Sequence, residues 1–216
     1  MSQLVPLLID ATIETLYMVG VAGLVSLVLG VPVGVALSAT APGGLHPLPL
    51  VNRVLGVAVN IGRSLPFIIL LIALIPFTRL VVGTSLGSTA AIVPLAVGAI
   101  PFYARLVEAA LAEVHPSKPE AALAMGASNR QVVRKVLLPE ALPALVAGLT
   151  VTLIALVGYS AMAGVVGGGG LGDVAIRFGY QRFRTDVMVA TVVLLVVVVQ
   201  LLQVLGDVLV RRLRRH

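Results

Sequence analysis

The sequence predicts an all-α membrane protein that crosses the bilayer five times. Hydrophobic residues make up 59% of its 216 residues and charged residues only 11%, whereas about a quarter of the residues in a soluble domain are charged. Several apolar stretches have the roughly 20 residues that a helix needs to cross the hydrocarbon core. Basic residues lie mainly in the segments between these stretches, as they do in the loops that set membrane topology.

The five predicted spans are apolar runs bounded by glycine, proline and charged residues. They cover about 18–37, 56–77, 88–107, 146–166 and 187–210, and the whole chain, 1–216, is expected to form one membrane domain. Arg63 falls inside the second span, near an end from which its side chain can reach the headgroups. Because the number of spans is odd and no halves are self-similar, a pathway on a symmetry axis would require a second copy of the chain.

The distribution of Lys and Arg predicts an external N-terminus and a cytoplasmic C-terminal tail. Ten basic residues follow spans one, three and five, and four lie on the opposite side. The first group is Arg53, Arg105, Lys118, Arg130, Arg134, Lys135, Arg211, Arg212, Arg214 and Arg215, and the second is Arg79, Arg177, Arg182 and Arg184. Asp10 and Glu14 precede the first span without any Lys or Arg, unlike a cleavable signal peptide. Aromatic and basic residues do not interleave as in single-strand binders, so we expect no nucleic-acid partner.

Enzymatic chemistry is not predicted for this chain. It has no cysteine, and His46, His115 and His216 stand far apart, so neither a thiolate nucleophile nor a metal site is expected. A G-x-x-x-x-G-K-[ST] phosphate loop is missing from the sequence, and ATP hydrolysis is therefore not expected. We predict no catalytic residue, and no cofactor is assigned to this chain.

A glycine-rich segment, 167–173, contains G-x-G-x-x-G spacing. No strand is predicted before it, so nucleotide binding is not expected. We expect a flexible external turn, with a contact to an extracytoplasmic protein as one role. The arginines that follow, Arg177, Arg182 and Arg184, either pair with acidic residues of such a partner or are solvated.

The segment 114–143 predicts a cytoplasmic helix, a tight turn and a second helix. Ser117 and Glu120 have capping-box spacing, as do Ser128 and Gln131. Gly126 stands where a left-handed residue ends a helix. The second helix is expected to end at Pro139.

The first of these two helices has only about eight residues, and so short a helix is marginal in water. Its face of Ala121, Ala122, Leu123 and Met125 is small and apolar. From the residues alone, two alternatives are equally good. This face either docks in a groove of a partner protein or lies flat on the membrane surface.

The same loop resembles the EAA signature of ABC importer permeases. The match consists of Glu120-Ala121-Ala122, then Gly126, then Val136-x-Leu138-Pro139, with valine in place of the usual isoleucine. The resemblance implies that the loop is a coupling helix that docks on an ATPase subunit. It assigns this contact to Glu120, Ala121, Ala122, Leu123, Met125 and Gly126.

Three further segments resemble the methionine-importer permease family: 60–67, 75–85 and 156–162. This resemblance implies import of L- and D-methionine across the bacterial cytoplasmic membrane. It also implies a complex of two permease copies, two ATPase subunits and an extracytoplasmic substrate-binding protein, often a lipoprotein. ATP and Mg²⁺ would then bind to the ATPase subunits.

Polar residues inside spans usually face a cavity or another helix, since lipid offers them no partner. The candidates for the pathway are Asn60, Ser64, Tyr159, Ser160 and Met162. The alternative for each is helix packing, with Met162 either filling a gap or closing a gate. For Arg63, a structural or headgroup contact is favoured over a substrate contact.

Three other functions compete with methionine import. The first is import of another amino acid or small nutrient by the same kind of complex. An ion-coupled secondary carrier would need an acidic residue or histidine at mid-membrane, and none is predicted there. An intramembrane hydrolase would need a nucleophile with a base, and Ser160 has no such partner in the sequence.

Overall fold

The computed structural model describes residues 4–214, and within that range the chain is all-helical and contains no β-strand. The prediction of an all-α protein is therefore confirmed. The elements are α1 (Leu4–Thr40), α2 (Pro49–Ser64), α3 (Phe67–Ala73), α4 (Ile75–Val82), α5 (Ser88–Ala112), α6 (Ser117–Ala124), α7 (Asn129–Val132), a π turn (Val133–Leu137), α8 (Leu138–Gly164), α9 (Gly170–Val174), a second π turn (Ala175–Tyr180) and α10 (Thr185–Leu213).

Four helices in the described range are long and apolar enough to cross a membrane: α1, α5, the helix 129–164 that includes α8, and α10. They correspond to the first, third, fourth and fifth predicted spans. Helix α1 begins 14 residues before the predicted start at Met18. With 37 residues, it is about 55 Å long, so it must tilt or project beyond the hydrocarbon core.

The second predicted span, 56–77, is wrong as a continuous helix. Helices α2 and α3 meet at a bend of 102°. Only the two together are long and apolar enough to cross a membrane, and they would do so as a broken span. The break lies at Leu65, whose backbone is extended at φ −80° and ψ 127°. Pro66 explains the break, because its ring disfavours a helical conformation in the preceding residue.

Helix α5 lies at the centre of the fold, and α10 lies at its periphery. In the most apolar 18-residue stretch of α5, half of the residues are buried, whereas in that of α10 only 17% are buried. The main core joins α1, α5 and α8 around the fully buried Met18, Leu95 and Leu156. The outer face of α10 exposes a series of valines, as expected for a helix in contact with lipid.

Helices α1 and α5 approach each other closely at two glycines. A Cβ atom on Gly34 would lie 2.5 Å from Val107 Cβ and 2.6 Å from the Ala104 carbonyl oxygen. A Cβ atom on Gly30 would lie 2.9 Å from the Tyr103 ring. Glycines four residues apart allow helix backbones to pack closely, which drives association in membranes.

The chain stays helical from α7 through a π turn into α8, so Pro139 does not end the helix as predicted. The Leu138 amide donates to the Val133 carbonyl, five residues back. Pro139 then occupies the first turn of α8. The wider π turn rearranges the backbone hydrogen bonds just before Pro139, which has no N–H to donate. The helix can therefore continue past the proline.

The glycine-rich segment is packed into the fold, so the prediction of a flexible turn is wrong. Gly168 and residues 170–174 are buried, and a Cβ atom on Gly172 would lie 2.4 Å from the Ala161 backbone. The Gly170 amide donates to Glu14 Oε2 at 2.6 Å, and the Leu171 amide donates to Thr15 Oγ1 at 2.9 Å. The glycines therefore let α9 fold back against α8 and α1.

We expect Gly34→Ala to destabilise the protein by about 1–3 kcal/mol, because the added methyl group overpacks the α1–α5 contact. Gly20→Ala is the matched control, since nothing lies within 4 Å of its Cβ position on the same helix. The control should be neutral or stabilising by up to about 1 kcal/mol. Thermal unfolding in detergent measures both variants, and equal effects would contradict the close approach.

Candidate functional site

Helix α6 ends in a closed glycine turn. The Ala127 amide donates to the Ala122 carbonyl at 3.0 Å, and the Gly126 amide donates to the Leu123 carbonyl at 2.9 Å. This pair of bonds is the Schellman motif, which requires a left-handed residue after the helix. Gly126 has φ +85°, which confirms its predicted place at the end of the helix.

The predicted capping box of Ser117 and Glu120 does not form. Pro116 is the N-cap of α6, and no side chain caps this helix end. Ser117 Oγ instead lies 2.8 Å from His115 Nδ1. The sequence spacing was compatible with a box, but the helix starts one residue earlier than the box requires, so Ser117 is its first residue and not its N-cap.

The second predicted box is confirmed and holds the start of α7. The Gln131 amide donates to Ser128 Oγ at 3.4 Å, and the Ser128 amide donates to Gln131 Oε1 at 2.8 Å. Asn129 Nδ2 donates to the Leu45 carbonyl at 2.8 Å, which joins α7 to the connection between α1 and α2. Lys118 of α6 pairs with Glu140 of α8. The segment is therefore fixed at several points to the membrane helices.

Helix α6 turns a largely apolar surface away from the protein. Ala122 faces inward and is 7% exposed, whereas Leu123 is 41% and Met125 83% exposed. Glu120 and Ala121 are exposed beside them. Nothing in the described chain covers these side chains, so the surface is available to a partner.

The predicted pathway residues fall into different surroundings. Asn60 Oδ1 accepts from Arg105 Nη2 at 3.0 Å. Ser64 and the buried Ser160 each donate to a carbonyl of their own helix. Met162 is 47% exposed. Tyr159 stacks on Phe67, with ring centroids 4.7 Å apart and planes inclined by 10°.

A cavity of about 190 Å³ lies where α2 breaks. It brings Tyr159 together with Arg63 but is not lined by Asn60, Ser64, Ser160 or Met162. Its lining consists of Gly62, Arg63, Leu65, Phe67, Leu70, Gly98, Phe102 and Tyr159. The sequence singled out Tyr159 but missed Phe67 and Phe102, because an apolar residue in an apolar span carries no signal of its own.

Arg105 joins α2 to α5, a role that the sequence did not predict. Its Nη2 donates to the Gly56 carbonyl at 3.3 Å and to Asn60 Oδ1, and its Nη1 pairs with Glu108 at 2.6 Å. The sequence counted Arg105 among the basic residues that follow the third span, predicted to end near 107, but α5 continues to Ala112. Asn60 is thus half of an interhelical contact.

The three arginines that follow the glycine-rich segment all have partners within the chain. Arg177 pairs with Asp173, and Arg184 pairs with Asp186 at 2.6 Å. The Arg182 guanidinium lies 4.6 Å from the centroid of the Phe178 ring. The sequence did not predict these contacts within the chain, and Arg177 and Arg184 remain 58% and 47% exposed. Pairing with a partner protein stays a prediction.

Residues 8–215 match the model of the family described as binding-protein-dependent transport system inner membrane component. The chain belongs to this family. Its fourth and fifth spans, its α6–α7 segment and its broken second span are thus parts of a transport permease. Two curated relatives and one solved structure place this permease among the methionine importers.

The permease is 59% identical to the probable D-methionine transport system permease protein MetI of Vibrio cholerae over 207 residues, which are 95% of this chain and 92% of that protein. It is 47% identical to the methionine import system permease protein MetP of Bacillus subtilis, with 93% and 90% covered. A crystal form of the MetNI methionine ABC transporter in inward-facing conformations superposes with a TM-score of 0.97 at 52% identity, covering 99% of each chain.

Gly126→Ala should loosen α6, because a left-handed alanine costs about 1–2 kcal/mol. The added methyl group meets no other atom within 4 Å, so backbone strain is the whole effect. We expect the amides of α6 to exchange with deuterium roughly tenfold faster. Gly126→Asn is the control, since asparagine tolerates this conformation, and an equal effect of both variants would contradict the assignment.

Proposed function

We propose that this permease carries methionine, in both the L and D forms, across the cytoplasmic membrane as the membrane subunit of an ATP-driven importer. The observation that carries the proposal is its 59% identity, over 95% of its length, to a permease named for D-methionine transport. The similarity to the MetNI methionine ABC transporter supports the same substrate.

The proposed complex contains two copies of the permease, two ATPase subunits and an extracytoplasmic substrate-binding protein. ATP and Mg²⁺ would bind to the ATPase subunits, and this chain would supply no cofactor site. The whole chain would act as one membrane domain. The outer valines of α10 and the exposed apolar surface of α1 would contact lipid.

The α6–α7 segment is the proposed contact with the ATPase. Its outward surface of Leu123 and Met125, 41% and 83% exposed, fits a groove in a partner better than bulk water. Lys118 and Asn129 fasten the segment to the rest of the chain. A movement of the docked ATPase would therefore reach the membrane helices.

Transport would proceed by alternating access. Binding of ATP would close the ATPase subunits, move the two α6 helices and open the pathway outward. Hydrolysis would return the complex to its inward-facing form. No covalent chemistry is required of this chain, whose task is to bind the substrate and reorient around it.

Proteoliposomes that contain the permease, its ATPase and its binding protein should accumulate radiolabelled methionine only when ATP is supplied. Uptake that needs an ion gradient and no ATPase would instead establish a secondary carrier.

In the same assay, Met125→Glu should lower ATP-driven uptake at least tenfold, because the new carboxylate would be buried at the contact. The control is Met125→Leu, which keeps an apolar side chain of similar size. Recovery of the ATPase subunit with the purified permease measures the contact separately. Normal uptake and normal recovery with Met125→Glu would contradict docking through α6.

The proposed orientation places the segment before α10 outside and the C-terminal tail in the cytoplasm. Ten basic residues on the proposed cytoplasmic side, against four outside, support it. Because the chain has no cysteine, a single introduced cysteine shows on which side of the membrane its position lies. An impermeant maleimide should label Gln181→Cys in intact cells and Arg214→Cys only after permeabilisation, and the reverse pattern would invert the topology.

A further inference from the structure

The cavity at the break of α2 is large enough to hold a small solute. Its volume of about 190 Å³ is more than ten times what a single water molecule requires. Arg63 and Leu65 at its rim are exposed, so solute can enter. A span that is broken at a cavity is also where membrane carriers commonly hold their substrates.

The charge of this cavity favours an anionic group. Arg63 is the one charged residue among the side chains that line it. No ion pair in residues 4–214 involves Arg63, whereas Arg105, on the neighbouring helix, is paired with Glu108. A guanidinium without a carboxylate partner, next to an apolar wall, is suited to bind a carboxylate in two parallel hydrogen bonds.

The apolar residues that line the cavity favour an apolar, polarisable group. Phe67 and Tyr159 form a stacked pair, and Leu70 and Phe102 also line the cavity. Gly62 and Gly98 leave room beside these rings, since they contribute no side chain to the cavity. A thioether packs well against the edges of aromatic rings.

We propose that this cavity binds methionine on its way through the membrane. Arg63 holds the α-carboxylate, and Phe67, Phe102 and Tyr159 contact the thioether side chain. The proposal rests on the proposed function and adds a defined site to it. It also assigns Arg63 a substrate contact, in place of the structural or headgroup contact that the sequence favoured.

The test uses the permease and ATPase complex in lipid nanodiscs, without the binding protein, so that only sites in the complex are probed. Photo-methionine, in which a diazirine replaces the thioether, is added and irradiated, and the adducts are located by mass spectrometry. We expect adducts within residues 62–70 and at Tyr159. Excess L-methionine should prevent them, and methioninol, which lacks the carboxylate, should compete at least tenfold less well.

Two variants test the role of Arg63. Arg63→Gln should reduce labelling about tenfold and remove the difference between methionine and methioninol. Arg79→Gln is the control, because Arg79 is an exposed arginine that does not line the cavity, and its labelling should match the wild type. Should Arg63→Gln fail to assemble, the competition experiment on the wild-type complex still decides the matter.

Uptake by the same preparation, with the binding protein restored, separates the two proposals. Methionine uptake without adducts in the cavity, or equal competition by methioninol, overturns the cavity and leaves the proposed function intact. Absence of methionine uptake in a complex with active ATPase overturns the proposed function.

Discussion

Lipid hydrocarbon offers no hydrogen-bond partner to the peptide backbone, and this constraint decides where the chain can leave the helical conformation. The break between α2 and α3 falls at Pro66, which has no amide hydrogen to satisfy. The turn after α8 leaves the amides of Gly170 and Leu171 without a partner inside their own helix. The Gly170 amide donates to Glu14 and the Leu171 amide donates to Thr15, both on α1. Glu14, a charged residue on a membrane helix, is thereby given a structural task.

The same environment gives apolar side chains little reason to associate, so the helices are held by close contact and by polar bonds. Helices α1 and α5 pack backbone to backbone at Gly30 and Gly34. Helix α2 is held differently, since Val59 is its single buried residue and Arg105 bonds it to α5. Its remaining exposed face is the kind of surface that the proposed second copy of the permease would cover.

The sequence predicted what depends on local chemistry and failed where distant residues decide. Four spans and the left-handed Gly126 follow from apolar runs and helix-end residues, and both were correct. The sharp bend at Pro66 was missed because the apolar run continues through it. The burial of the glycine-rich segment depends on Glu14, which lies 156 residues away. The pairing of Phe67 with Tyr159 is equally non-local, so only Tyr159 was singled out.

The helix from Asn129 to Gly164 physically connects the two candidate sites. One end carries the Ser128 capping box and the Lys118–Glu140 pair next to α6. Tyr159, in the wall of the cavity, lies 30 residues along it from Asn129, a distance of ~45 Å. The chain stays helical through the π turn, although Pro139 and Pro143 have no amide hydrogen to donate, so a push on α6 would be carried along this helix toward Tyr159. The proposed coupling needs an element that links the two sites, and this helix is the one that runs from α7 to the cavity.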